Sequence, residues 1–467
     1  KTIAIMAEHK KVLILGAGLS TAPLIPYLSL HAKAAVTVAS RTLSKAEELC
    51  SFERPADAGP TTAVQLDVSS ADDLTRLEEL VRDHNACISM LPYVHHPLLA
   101  EMALRHGKHF LTTSYVSDAM SALADRARER GVLLMNECGL DPGTDHMSAK
   151  RVIDQAHADG GKVVSFLSYC GGLPAPVDNN NPFGYKFSWA PRGVLLAGLN
   201  TARFYRDGEA IEVGGGTLFD HYSHDTVDHP IVEGLTFECY PNRDSTPYRE
   251  IFNIPECKTL IRGTYRYAGW CRTVKKLTDL GLVDQTARVF DGKSTYAQLV
   301  LEGVGEHAKE ATVREAVAKF CGLESDDDIL NRMEWLGLFG DTPVDASITC
   351  NLDATCKLMM DRKEMQLGEG EQDMVVMKHT FVIEYADRRD TVTSTLVELG
   401  VKNGDTAMSR TVSTPVAIAT RMLLEGKYTE VGLQRPIEKA IYAPILDELQ
   451  QRGIMTFHEK VIKSEKL

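Results

Sequence analysis

Gly16 and Gly18 close an apolar run, Val12-Leu-Ile-Leu15, and a second run, Val36-Thr-Val-Ala39, ends in Ser40-Arg41-Thr42. A strand that runs into a glycine turn lets the backbone approach a pyrophosphate, and the helix that follows offers its N-terminus to the charge. The second run lies about twenty residues on, where a dinucleotide fold meets the adenine ribose. An acid there would accept from a 2′-hydroxyl. Ser40, Arg41 and Thr42 suit a 2′-phosphate instead, so the pair of motifs predicts binding of NADP(H). Thr21 stands where the third glycine of the fingerprint belongs, and a bare strand-to-helix turn is the alternative.

Other residue types point to a polar, anionic ligand. Arg243 and Arg262 could each grip a carboxylate in a two-pronged contact, or form surface ion pairs. Asp141 could orient an amine or assist proton transfer, or cap the helix from Thr144. Tyr115 could bond a ligand or pack. Cys170 heads a Gly-Gly pair read as a turn, and is either a nucleophile or a packed thiol. His95 and His96 are accounted for by packing at a helix start.

The elements that must position these residues alternate strand and helix through the first 138 residues. Strands are expected at Val12–Leu15, Ala35–Ala39, Ala63–Leu66, Ala86–Met90, His109–Thr112 and Val132–Met135, and the first helix at Leu19–Leu30. That alternation predicts a parallel doubly wound sheet. Its ligand rim would gather Gly16–Thr21, Ser40–Thr42, Asp67, Met90–Tyr93, Thr113–Tyr115 and Glu137–Gly143. Strand-like runs after Gly143, a long polar loop and a hairpin around Asp387-Arg-Arg-Asp predict a second, mixed α/β domain. Apolar spacing from about 270 to 340 predicts a small helical domain. Near the end, Thr414-Pro-Val is expected to begin a helix with Thr414 as N-cap.

Bulk properties narrow the class. A net charge of −13 argues against a nucleic-acid partner. No apolar run reaches bilayer length, and no signal peptide is read. The ten cysteines fit neither a metal site nor a disulfide framework, which is in keeping with a cytoplasmic enzyme. Met6-Ala-Glu-His-Lys-Lys-Val reads as a natural start, with Lys1–Ile5 an addition or the tail of a fusion partner.

The runs Ser114-Tyr-Val-Ser, Asn136-Glu-Cys-Gly-Leu-Asp-Pro-Gly-Thr-Asp-His146, Leu167-Ser-Tyr-Cys-Gly-Gly-Leu-Pro-Ala-Pro176, Tyr185-Lys-Phe-Ser-Trp189 and Tyr240-Pro-Asn-Arg-Asp-Ser-Thr246 closely resemble the saccharopine dehydrogenases of the L-glutamate-forming type. The likeness extends from Met6 to the C-terminus and is nearer the isolated fungal-type enzymes than the bifunctional animal and plant proteins. It implies a Rossmann-type domain over 1-138 and 404-467, a substrate domain over 139-268 and 345-403, and a helical domain over 269-344. It implies NADPH reduction of the imine of L-glutamate and α-aminoadipic semialdehyde to saccharopine, in lysine biosynthesis. By the resemblance, the cofactor would touch Gly18, Leu19, Ser20, Thr21, Ser40, Arg41, Thr42, Asp67, Val68, Met90, Thr113, Ser114, Leu140, Asp141 and Pro142. Saccharopine would touch Ser114, Tyr115, Asp141, Trp189, Arg243, Arg262, Gly263 and Thr264. Asp141 and Cys170 are the candidate catalytic groups. Small-molecule substrates are the expected partners, with a homodimer left open. Rival readings are an NAD-dependent saccharopine dehydrogenase of lysine degradation, another NADP reductase of amino-acid-derived imines, and a non-catalytic NADP-sensing module.

Overall fold

The computed structural model of the chain describes residues 9–310 and 312–467. The reading of Lys1–Ile5 lies outside them. The chain divides into two compact units: residues up to Gln155 with Asp405–Phe457, and Ala156–Gly404 with His458–Leu467. No helix among the described residues is long and apolar enough to cross a membrane.

The first unit begins with β1 (Lys11–Leu15), β2 (Ala35–Ser40), β3 (Thr61–Gln65), β4 (Ala86–Ser89), β5 (His109–Thr112) and β6 (Leu133–Met135). They lie in the order β6-β5-β4-β1-β2-β3, with every pairing parallel. The order reverses between β1 and β4, the point beyond which doubly wound sheets take their ligands. Val12 to Leu15 are fully buried, which is why β1 reads as a continuous apolar run rather than an alternating one. The first helix is shorter than expected and begins only at Leu24. Pro23 and Pro26 lack N–H groups, and a pair of turns replaces the missing helix. In these, Thr21 N–H donates to the Gly18 carbonyl and Leu24 N–H to the Thr21 carbonyl, at 3.1 Å each.

The chain then builds the second unit from β7 (Lys162–Pro174), β8 (Ala202–Arg206), β9 (Glu209–Val213), β10 (Ser223–Thr226), β11 (Thr236–Pro241), β12 (Thr259–Tyr267), β13 (Asp373–Glu384) and β14 (Arg388–Leu399). It returns to the first sheet as β15 (Gly432–Gln434), parallel to β6. It ends as β16 (His458–Lys466), antiparallel to β14. The nine-stranded second sheet runs β10-β11-β12-β7-β13-β14-β16, with β8 and β9 branching from β12. It is mixed, as expected: β7 and β12 are parallel and their other pairings antiparallel.

Four expectations are corrected. Cys170-Gly171-Gly172 is not a turn but the interior of β7. A Cβ on Gly171 would lie 2.8 Å from the Tyr265 carbonyl oxygen, so the glycine admits a close backbone approach within a strand. The helix expected from Thr414 is one longer helix, Ala407–Leu424, with Pro415 inside it. Val416, Ala417, Ile418 and Ala419 are all buried, and packing on every side outweighs the missing hydrogen bond. The helices between 269 and 344 do not form a unit of their own. Trp270, Leu277, Val300, Met333 and Leu336 share one core with Phe237, Tyr240 and Tyr265 of the second sheet. Finally, the C-terminal strand belongs to the second unit, not the first.

The N-cap of the long helix is Thr406, whose hydroxyl accepts from Ser409 N–H at 3.0 Å. Thr406→Ala should lower the free energy of urea unfolding by about 1 kcal/mol, and Thr406→Asn should restore most of it. An unchanged unfolding midpoint for Thr406→Ala would remove this residue from the helix start.

Candidate functional site

In the first unit the structure brings the predicted nucleotide residues to the C-terminal ends of the strands. Gly16 has φ +109°, and a Cβ on it would meet the Met90 carbonyl oxygen at 3.2 Å. A Cβ on Gly18 would meet nothing within 4 Å, so the backbone there is open to a ligand. The N–H groups of Gly18, Leu19 and Ser20 make no hydrogen bond to the described residues. The Thr21 hydroxyl is buried without a partner among those residues. At the end of β2, Ser40 Oγ accepts from Thr42 N–H at 3.3 Å. Arg41 is exposed, and its guanidinium bonds none of the described residues. Asp67 accepts from Ser69 N–H at 2.9 Å and sits beside buried Val68, past β3. Met90 follows β4, its N–H donating to the Leu15 carbonyl at 2.9 Å. Thr113 lies beyond β5 and packs on Gly139, where a Cβ would come within 2.9 Å of its own Cβ. Leu140 and Pro142 are buried beyond β6. An open glycine turn with spare donors and an uncommitted guanidinium at the ribose position fit a dinucleotide 2′-phosphate.

Tyr115 donates to Asp141 Oδ1 at 2.8 Å. At the start of the helix Thr144–Ala158, Asp145 Oδ1 accepts from Gly143 N–H at 2.6 Å.

Sequence reasoning placed Glu137 on the rim without a role, and left His146 and Arg435 without one. Glu137 is buried at φ +58°, and its carboxylate gathers three segments. It lies 2.8 Å from His146 Nε2 and accepts from Arg435 Nε at 2.9 Å and from Val116 N–H at 3.0 Å. Burial raises its pKa, but the His146 hydrogen bond and the charges of His146 and Arg435 outweigh it and hold it at about 2. The only signal in the sequence was an acid at the end of a buried strand.

His96 was read as packing alone, but it reaches the rim. Its Nε2 lies 2.9 Å from Ser114 Oγ and 3.0 Å from Thr112 Oγ1. Thr112 Oγ1 also donates to the Ser89 carbonyl at 3.0 Å. The ring's Nδ1 is buried and without a partner among the described residues.

In the second unit, Arg262 is buried with its guanidinium 4.3 Å from the Tyr248 ring centre. Its backbone N–H donates to Ser245 Oγ at 3.0 Å. Arg243 lies in the turn after β11, where its carbonyl accepts from Arg203 N–H at 3.3 Å. Thr264 Oγ1 accepts from Asn242 Nδ2 at 2.9 Å. Gly263 must be glycine, since a Cβ would lie 2.2 Å from the Tyr240 carbonyl oxygen. Trp189 Nε1 donates to the Tyr185 hydroxyl at 3.1 Å. Cys170 is buried in β7 and pairs in register with Thr264 of β12.

Burial pushes the His96 pKa down from 6.5 to about 4. Between those values the unfolded chain takes up a proton that the folded protein refuses, so stability present above about pH 6.5 is lost as pH falls. The loss by pH 4 should be about 2–4 kcal/mol, read as the difference between wild type and His96→Gln, whose amide can bond the same hydroxyls but does not titrate. Parallel pH profiles of unfolding free energy for the two proteins would contradict the buried neutral ring.

Comparisons with known proteins agree with this layout. The sequence profile of the saccharopine dehydrogenase NADP binding domain matches residues 12–135, and that of the saccharopine dehydrogenase C-terminal domain matches residues 139–454. Saccharopine dehydrogenase (NADP(+), L-glutamate-forming) of Schizosaccharomyces pombe is 39% identical over 466 residues, 97% of this chain and 99% of that protein. The mitochondrial alpha-aminoadipic semialdehyde synthase of Bos taurus is 37% identical over 98% of this chain but only 48% of its own length. The solved structure of apo saccharopine dehydrogenase (L-Glu forming) from Saccharomyces cerevisiae matches with a TM-score of 0.82 at 37% identity, covering 97% of this chain and 100% of that one. With both profiles matched in order along nearly the whole chain, the protein belongs to the saccharopine dehydrogenase family.

Proposed function

We propose that the chain is an NADP(H)-dependent saccharopine dehydrogenase of the L-glutamate-forming kind. It would join L-glutamate to α-aminoadipic semialdehyde in the biosynthetic direction of lysine metabolism, in the cytoplasm. The observation that carries the reading is the uncommitted Arg41 at the end of β2, in a chain whose fungal relatives of that name match it end to end. When bound, NADPH supplies the hydride that reduces the imine of the two substrates.

The chain's own residues then have the following work. The backbone of Gly16 and Gly18–Thr21 holds the pyrophosphate, and Ser40, Arg41 and Thr42 hold the 2′-phosphate. Asp67, Val68, Met90, Thr113, Ser114 and Leu140–Pro142 line the rest of the nucleotide. Saccharopine carries three carboxylates and two amines, so its recognition calls for guanidinium groups and polar hydroxyls more than apolar walls. Arg243 and Arg262 take carboxylates, with Trp189, Gly263 and Thr264 beside the ligand. Asp141, held by Tyr115, accepts from an amine and places the reacting carbon. Ser114 is oriented for the same ligand by His96. Cys170 remains the second candidate for a chemical role, although hydride transfer to an imine needs no covalent enzyme adduct. A spectrophotometric assay of NADPH oxidation with L-glutamate and the semialdehyde tests the reading directly. Turnover that requires both substrates is expected, and its absence overturns the proposal.

Arg41→Asp removes a charge-assisted contact to the 2′-phosphate worth about 1.5–3 kcal/mol and adds an acceptor for a ribose hydroxyl. The ratio of kcat/KM for NADPH over NADH should fall by about 10- to 100-fold. A wild-type preference for NADH, or a ratio that does not move, would assign Arg41 to the solvent.

A further inference from the structure

Arg266 is a buried cation that the second unit leaves without an anion. It lies on β12, 3% exposed, with no carboxylate within 4.0 Å among the described residues. NH1 donates to the Tyr265 carbonyl at 3.0 Å, while Nε is buried and unbonded. The acid directly opposite it in the β11–β12 register is Glu238. That carboxylate is engaged elsewhere, accepting from Gly269 N–H at 2.6 Å and Cys271 N–H at 2.8 Å. The guanidinium stands 5.4 Å from the Tyr185 ring centre and 5.5 Å from that of Trp270. Such contacts soften the burial of a charge but do not replace a counter-ion.

Two further donors nearby are desolvated. Trp270 Nε1 is buried without a partner among the described residues, and the buried Tyr240 hydroxyl makes no hydrogen bond of ordinary geometry, with the Thr264 side chain the polar group close to it. Tyr240 pairs in register with Thr264, which lies half-buried between Arg262 and Arg266 on the same face of β12. Burial pushes the Tyr240 hydroxyl up to about 12 against the opposing charge of Arg266, which places the two within electrostatic reach. A buried guanidinium with an unbonded Nε, beside two desolvated donors, offers a cradle for an anion.

We propose that Arg266, the Tyr240 hydroxyl and the Trp270 indole N–H form a carboxylate subsite that takes the third carboxylate of the substrate. This rests on the reading of the substrate given above, in which Arg243 and Arg262 take two carboxylates and a third needs its own cation. Arg262 and Arg266 are about 13 Å apart along the strand, a span suited to an extended ligand with an acid at each end. A cation kept for a ligand has a signature that a structural one lacks: its removal weakens binding without weakening the empty protein.

The test measures, for the full-length enzyme, Arg266→Met and Tyr240→Phe, the KM for saccharopine, the Kd for NADPH and the melting temperature with and without saccharopine. For Arg266→Met the saccharopine KM should rise at least tenfold, with NADPH Kd within twofold of wild type. Its ligand-free melting temperature should be equal or higher, and the rise that saccharopine induces should shrink. Tyr240→Phe, which removes only an oxygen, should raise KM by a few-fold. If Arg266→Met melts lower or fails to fold while Tyr240→Phe binds saccharopine as wild type does, the arginine is structural and the subsite is overturned. If both variants keep wild-type KM while wild type oxidises saccharopine, the subsite alone falls. If wild type does not oxidise saccharopine, the reading of the substrate falls and the subsite with it.

Discussion

The rim of the nucleotide-binding unit depends on one buried carboxylate. Glu137 occupies the left-handed region at φ +58°, a conformation that costs a non-glycine residue about 1–2 kcal/mol and persists only where its surroundings demand it. They do. Its N–H donates to the Ser114 carbonyl at 3.0 Å and its side chain accepts from Val116 N–H, so one residue bonds the segment on either side of Tyr115, with Asn136 Nδ2 and His96 adding to the hold. The same carboxylate binds His146 at the start of the helix Thr144–Ala158 and Arg435 after β15. β15 comes from the far end of the chain, and Arg435 ties its end to the end of β6. Removing either cationic partner would leave part of a buried charge uncompensated, the situation that makes broken buried pairs so destabilising. The Glu137 carboxylate thereby steadies the segment that carries Tyr115, whose hydroxyl donates to Asp141.

Charges in this protein fall into those that the fold satisfies and those that it leaves. Glu137 and Glu238 are satisfied by backbone N–H groups and cations, and each fixes the start of an element. Lys186 and Glu371 pair in the same manner at 2.5 Å, with the lysine almost fully buried. Against these stand Arg41, exposed at the ribose position, and Arg266, buried without an acid. A chain that can route two buried glutamates to partners has no general difficulty pairing charge. An arginine left over in such a structure is better explained by a ligand than by imperfect packing.

Local patterns made the first unit legible in the sequence. Val12-Leu-Ile-Leu15 is apolar because parallel strands are covered on both faces, and the glycines after it have no other ready use. The errors lie where local chemistry and tertiary context disagree. Gly171 and Gly172 carry the composition of a turn, yet both lie in β7, and at Gly171 the Tyr265 backbone passes too close for a side chain. Thr414-Pro415 carries the chemistry of a helix start, yet burial all round holds it in mid-helix. β16 is exposed along its whole length and has no apolar alternation to announce it; only its pairing with β14 makes it a strand. Among the candidate site residues, glycines and loop arginines could be named from the sequence because their types are unusual in those places. Glu137, His96 and Arg266 were not legible, because their significance lies in which polar atoms burial leaves them near, and no spacing rule encodes that.

The charge balance adds a last constraint. With a net charge of −13 the chain repels the polyanionic dinucleotide and the tricarboxylate proposed for it. That repulsion fades over about 8 Å at physiological ionic strength, so it weakens approach far more than it weakens a docked ligand. In the reading proposed above, affinity would then come from short-range contacts: backbone N–H groups at an open glycine turn, the Arg41 guanidinium at the ribose position, and guanidinium groups inside the protein. This accounts for the kind of cation the structure uses. A surface lysine would gain little against such a field, whereas Arg262 and Arg266 sit at 3% exposure, where a carboxylate that reaches them meets a nearly dry donor. The acidic surface and the buried arginines are thus one arrangement, in which a ligand is held only if its anionic groups fall where the cations are.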